Sequence, residues 1–208
     1  MRAPLRNLAG IRPEAGLVAV VSVLLGSTAF DSFRSSTFWV QYSQETESSI
    51  TTINTGLLVA ARLVVGVTFT IATTAFAGDD RLPRWSHPAA LAHSIVPIIV
   101  GYMIAHYLSF FDEYGQQTLL QLSDPLGRGD NLFGTADWEV NYWLSLNPSL
   151  LALIKVMAIV VGHVLGVVAA HDRSLQILPL RRQFSGQLPL LLAMTLYTFS
   201  GLYLLFGL

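Results

Sequence analysis

The sequence predicts an all-α polytopic membrane protein, a bundle of five transmembrane helices with its N-terminus inside and its C-terminus outside. Three observations carry that expectation. Hydrophobic residues make up 52% of the 208 positions and charged residues 12%, about half the charge of a soluble domain. Mean hydropathy is +0.54. The apolar residues gather into five stretches, each of a length that crosses a hydrocarbon core of about 30 Å as a helix.

The stretches run over about 14–30, 56–77, 89–111, 149–170 and 188–207, and the whole chain, 1–208, reads as a single transmembrane helical domain. The first is the shortest. Its basic flank (Arg2, Arg6, Arg12), apolar run and Ser27-Thr28-Ala29 mimic a cleavable signal peptide. A polar, aromatic segment follows at once without a spacer, so a retained anchor is expected. No internal repeat, heptad or low-complexity tract is present.

Orientation follows from the basic residues. With the N-terminus in the cytoplasm, the inside segments 1–13, 78–88 and 171–187 hold eight of the twelve Lys and Arg. The outside loops hold only Arg34 and Arg128. The outer loop, 112–148, carries six acids against one base, with Tyr114, Phe133, Trp138, Tyr142 and Trp143 suited to the headgroup region. It is expected to be partly ordered. Asp124 to Asp130 looks like consecutive turns without calcium-loop spacing, and Arg128-Gly129-Asp130 is a chance tripeptide.

Composition also excludes. With no cysteine there is no disulfide framework, thiolate metal site or Cys nucleophile. A net charge of −1 gives no reason to expect nucleic acid. G-x-S-x-G, H-E-x-x-H, the phosphate-binding G-x-x-x-x-G-K-[ST] and G-x-G-x-x-G are all absent, which disfavours familiar hydrolase and nucleotide mechanisms but leaves an intramembrane site open.

The informative positions are polar residues that hydrocarbon should have excluded, since a charge at mid-bilayer costs roughly 2.5–3.5 kcal/mol even on the lenient insertion scale. Arg62 shares a stripe with Gly66 and Thr70, a small and hydroxylic face that suits contact with other helices, so a buried role is expected. For Lys155 the expectation is snorkelling to the outer headgroups. His93, Pro97, Gly101, Ala105 and Ser109 form a small-residue stripe in the third span, where Pro97 should kink the helix. Gly162, Gly166 and Ala170 form another in the fourth.

Two polar layers result. The cytoplasmic half holds His93, His163, His171 and Asp172; the outer half holds Asp31, Arg34, Arg62, His106 and Lys155. Imidazoles with a carboxylate suit a divalent metal or a proton relay, His93 and His163 being the metal candidates. The plainer alternative is that each histidine only hydrogen-bonds to a neighbouring helix. If the two small stripes pack together, His93 and His163 should converge on one ion or ligand while His106 lies apart.

Several segments together resemble a known family: Leu25-Gly26-Ser27-Thr28-Ala29-Phe30-Asp31, His93-Ser94-Ile95-Val96-Pro97, Ala105-His106-Tyr107, Asp124-Pro125-Leu126-Gly127, Leu132-Phe133-Gly134-Thr135, Gly162-His163-Val164 and Ala170-His171-Asp172-Arg173. In order and spacing they resemble the C-terminal half of bacterial membrane proteins often named fenitrothion-hydrolase-like. The resemblance implies residence in the bacterial cytoplasmic (inner) membrane. It also implies that further helices, from a missing N-terminal half or a partner subunit, complete the bundle. The family name implies hydrolysis of a phosphotriester and assigns no residue a catalytic role.

The first functional expectation is therefore a membrane-embedded site binding a metal or small ligand, with hydrolysis of a phosphotriester-like substrate as its reaction. The second is a transporter or proton-conducting half, with Arg62 and the histidines along its path. The third is a non-catalytic subunit of a larger membrane complex.

Overall fold

The computed structural model describes residues 14, 16–75, 83–179 and 185–206. Arg2, Arg6, Arg12, Arg81, Arg181 and Arg182, which carry most of the charge asymmetry, lie outside the described residues. The first helix, α1 (Leu17–Arg34), leaves Gly16, whose φ of 91° suits glycine. A short helix, α2 (Thr37–Glu45), follows; Ser36 caps it by accepting the Trp39 N–H at 3.2 Å. The second crossing, α3, spans Ile50–Thr74.

The third crossing is broken near its start. A 3-10 turn at Arg84–Ser86 leads into α4 (His87–Leu91), a second 3-10 turn at Ala92–Ile95, and then α5 (Val96–Ser123). Pro97 falls in the first turn of α5, where a missing N–H is tolerated. The His93 carbonyl, which Pro97 would have bonded in a continuous α-helix, instead accepts the Val96 N–H. The expected kink is therefore a change of helix type that ends at the proline. The fourth crossing, α6 (Pro148–Ile177), also opens on a proline, and α7 (Leu188–Phe206) follows a 3-10 turn at Ser185–Gln187.

Five of these segments are long and apolar enough to cross a membrane. Leu63, Leu192 and Phe199 are each more than 60% exposed on their outer faces, which suits lipid and not water. The helices outrun the apolar stretches: α3 begins at residue 50 and α6 runs to residue 177. The largest departure is at 112–148, expected to be a partly ordered loop. Its first twelve residues, 112–123, continue α5. The run Asp112-Glu113-Tyr114-Gly115-Gln116-Gln117 is too polar for a hydropathy window but contains no proline to stop a helix that is already nucleated.

The remainder of that loop is pinned to the α5 extension. Asn141 donates its N–H to Gln116 Oε1 at 2.9 Å, and Gln116 Nε2 returns a bond to the Asn141 carbonyl at 3.1 Å. Ser123 Oγ donates to Asn131 Oδ1 at 3.0 Å and accepts the Phe133 N–H at 3.1 Å. Ser145 donates to the Glu113 carboxylate. The Asp124 carboxylate accepts the N–H of Arg128 at 2.9 Å and of Gly129 at 2.8 Å. Those amides hold it below the usual aspartate range.

Lipid is as apolar as leucine, so close packing and interhelical hydrogen bonds hold such a bundle together. Both are present. The two small stripes meet, α5 against α6 and antiparallel: a Cβ on Gly162 would lie 2.5 Å from the Pro97 carbonyl oxygen, and one on Gly166 2.8 Å from that of Ser94. α1 and α3 meet the same way, with Gly26 directly on the Arg62 backbone and Gly66 on Ser22. Hydroxyl groups tie α7 in place. Tyr197 donates to the Val65 carbonyl at 3.1 Å and pairs with Thr68 at 2.6 Å.

Candidate functional site

Most hydroxyls in α1 turn back on their own helix. Ser22, Ser27 and Thr28 each donate to the carbonyl four residues earlier, the usual solution for a hydroxyl in a helix. Ser32 does not. Its Oγ lies 2.9 Å from His106 Nδ1 on α5 and accepts the Tyr102 hydroxyl at 2.8 Å. Tyr102 donates to Ser32, and because a hydroxyl oxygen can donate once and accept twice, the Ser32–His106 bond is satisfied by either tautomer of the imidazole. Ser32 and Tyr102 are buried and His106 is half-buried.

One residue earlier, Asp31 accepts the Tyr107 hydroxyl at 2.5 Å. The imidazole of His106 meets the Tyr107 ring edge-on, with centroids 4.6 Å apart. Asp31 and Lys155, the latter half-buried on α6, both lie within electrostatic range of His106. Two helices thus bring one carboxylate, one imidazole, two phenols and one hydroxyl together at the end of the bundle that carries the long loop, with the Lys155 ammonium of a third helix in electrostatic range. The spacing explains the convergence. Tyr102 and His106 are four residues apart on one face of α5, while Tyr107 lies 100° further round and meets the neighbouring residue of α1.

Of the residues the sequence assigned to the outer layer, the structure gathers Asp31, His106 and Lys155. Arg34, the last residue of α1, is exposed. Arg62 belongs to a different level. Its backbone packs on Gly26, six residues before Ser32, or about 9 Å along the helix axis. The packed stripe of α3 is Val65, Phe69, Ala72 and Thr73; Arg62, Gly66 and Thr70 form a half-buried line at its margin.

The histidines of the other half take separate partners. His163 Nδ1 lies 2.8 Å from Thr198 Oγ1 on α7, and His171 Nδ1 lies 3.1 Å from Gln187 Oε1. His93 is buried in the 3-10 turn beside the backbone of Ala90 and Ala169, with the Arg173 guanidinium in electrostatic range. Among the described residues, its Nε2 has no hydrogen-bond partner within ordinary geometry. A neighbouring guanidinium repels a divalent cation, so this imidazole is poorly placed as a metal ligand. Asp172 is half-buried on α6. Among the described residues, no three His, Cys, Asp or Glu side chains are placed to hold one metal ion.

Sequence reasoning missed three members of the outer cluster, Ser32, Tyr102 and Tyr107, and the buried His87 beside the backbone of Thr73. The signal for Tyr107 was available. Asp31 in a membrane helix needs a donor, and a tyrosine adjacent to His106 can supply one. His87 lies in the polar stretch before the third apolar run, where hydropathy gives no sign of burial. No protein-family model, characterised protein or solved structure matches the chain.

Proposed function

We propose that this chain carries a membrane-embedded binding site for a small polar ligand, formed by Asp31, Ser32, Tyr102, His106, Tyr107 and Lys155 in the outer half of an inner-membrane bundle. The observation that carries the reading is the Tyr102–Ser32–His106 chain. Two buried hydroxyls in series fix one ring nitrogen of a histidine. The outer placement rests on the distribution of basic residues in the sequence.

The donors suit an oxygen that bears or develops negative charge. The His106 imidazole and the Lys155 ammonium can both serve such an oxygen, and charge stabilisation of this kind gains strength where water is scarce. A phosphoryl oxygen of a phosphotriester-like substrate fits that description. Asp31, His106 and Tyr107 also fall inside motifs on which the fenitrothion-hydrolase-like resemblance rests. Asp31, whose carboxylate accepts the Tyr107 hydroxyl, is the base available to a water molecule. The reading rests on these side chains and not on a metal.

The experiment uses the purified chain in lipid nanodiscs with a nitrophenyl phosphotriester as the probe. Stabilisation against heat by the triester, with release of nitrophenolate, is expected for the parent. Both should be lost in His106→Gln and retained in His163→Gln. A parent that shows neither, or a His106→Gln variant that keeps both, removes the reading. A proton-conducting role has the same hydroxyl–imidazole chain in its favour. It predicts instead that vesicles carrying the parent dissipate a pH gradient faster than vesicles carrying Ser32→Ala.

A further inference from the structure

Arg62 sits where a charge has no ordinary reason to be. It is the thirteenth of the twenty-five residues of α3, and it packs on Gly26, the tenth of the eighteen residues of α1. Two helices therefore place it independently near their own midpoints, in the outer half of the apolar stretch 56–77. The outer edge of that stretch is six residues away, about 9 Å along the axis.

Among the described residues, Arg62 Nε is shielded from solvent and has no hydrogen-bond partner. The middle thirds of the five crossing segments contain no Asp or Glu. Yet the side chain is not sealed inside the bundle. It lies at one end of an open groove of about 630 Å³ between α1 and α3, lined by Ser22, Val23, Gly66, Val67 and Thr70 among others. The groove runs along α3 from Arg62 to Ile71, about two and a half turns. Its floor is small and hydroxylic, as surfaces for a packed transmembrane helix are.

We propose that this groove is the docking face for a transmembrane helix from outside these 208 residues, one that carries an Asp or Glu at the level of Arg62 to pair with it. Charge complementarity selects that occupant. A second copy of this chain, docked face to face, would set Arg62 against Arg62 and bring no carboxylate to that level. Lipid would leave the buried guanidinium Nε–H unpaired within the apolar stretch. A carboxylate-bearing helix satisfies the charge and fills the groove together. The pairing is independent of the Asp31–His106 cluster, and its failure would leave that site untouched.

The test reconstitutes the whole chain in phosphatidylcholine vesicles with synthetic polyleucine transmembrane peptides, read by energy transfer between labelled partners. A peptide with one central Glu should associate more strongly than the all-leucine peptide by between about threefold and thirtyfold, the range of interhelical polar contacts. A peptide with a central Lys should show no such gain. The preference for Glu should vanish in Arg62→Leu and survive in Arg62→Lys, while association with the all-leucine peptide and the melting temperature stay unchanged in the leucine variant, which shows that its loss is not misfolding. Equal association of the Glu and all-leucine peptides with the parent overturns the proposal, as does a Glu preference that persists in Arg62→Leu. Since the chain has no cysteine, Val67→Cys provides a unique thiol in the groove. Efficient disulfide pairing of Val67→Cys chains in the bilayer would assign the groove to a second copy and also overturn the proposal.

Discussion

The Ser32 hydroxyl of α1 lies 2.9 Å from His106 Nδ1 of α5, and Tyr102 donates to the same oxygen at 2.8 Å. Ser32→Ala therefore leaves a buried phenol and an imidazole nitrogen without their partner. A loss of about 1–3 kcal/mol in unfolding free energy is expected, measured by denaturation in bicelles. Tyr102→Phe in the Ser32→Ala background should cost less than Tyr102→Phe alone, because the phenol has already lost its acceptor. Strictly additive effects would mean that the two hydroxyls are not coupled.

Two glycines in α5 should respond in opposite directions. A Cβ at Gly101 would collide with the Ala158 carbonyl on α6, whereas one at Gly115 would meet nothing within 4 Å. Gly101→Ala is expected to destabilise by about 1–3 kcal/mol through overpacking. Gly115→Ala should stabilise by up to about 1 kcal/mol by restricting the unfolded chain. Melting temperatures of the two variants in one detergent check both signs.

The loop after α5 should respond to acid. The Arg128 and Gly129 amides hold the Asp124 carboxylate below its ordinary range. A group whose folded-state value is depressed adds stability above its unfolded-state value and loses it as the pH falls through the folded one. Protection of the Arg128 and Gly129 amides, taken relative to the intrinsic exchange rate at each pH, should therefore hold at neutral pH and be lost below the usual aspartate range. In Asp124→Asn that acid step should disappear. An unchanged profile in the asparagine variant would disconnect the carboxylate from the turn.

Orientation can be tested with single cysteines in intact cells, guided by the excess of basic residues in 1–13, 78–88 and 171–187. Gly129→Cys should react with an impermeant thiol reagent added outside. Gln183→Cys should react only after permeabilisation. Labelling of Gln183→Cys in sealed cells reverses the assignment.

The crossings were legible because an apolar run of spanning length has few alternatives, and each expected stretch is met by a helix. Helix ends were not, because hydropathy marks where lipid stops and not where the backbone ladder stops. Residues 112–123 are the clearest example. The meeting of α5 and α6 through Gly101, Gly162 and Gly166 was readable from four-residue spacing. The fate of His163 was not drawn from the same pattern, although it could have been. One residue is 100° of helix, so directing Gly162 at α5 turns His163 toward α7, where Thr198 takes it. Depth alone grouped His93 with His163; azimuth separates their partners.

The helical extension of α5 has a practical side. Its twelve residues rise about 18 Å beyond the apolar part of the helix, braced by the Gln116–Asn141 and Ser123–Asn131 bonds. A small membrane protein usually lacks any rigid feature outside the micelle by which single particles can be aligned. Here a folded marker inserted at the exposed Gly127–Gly129 turn would be joined to the bundle through a braced stalk and not a floppy tether. That would bring a chain of 22.7 kDa within reach of electron cryomicroscopy.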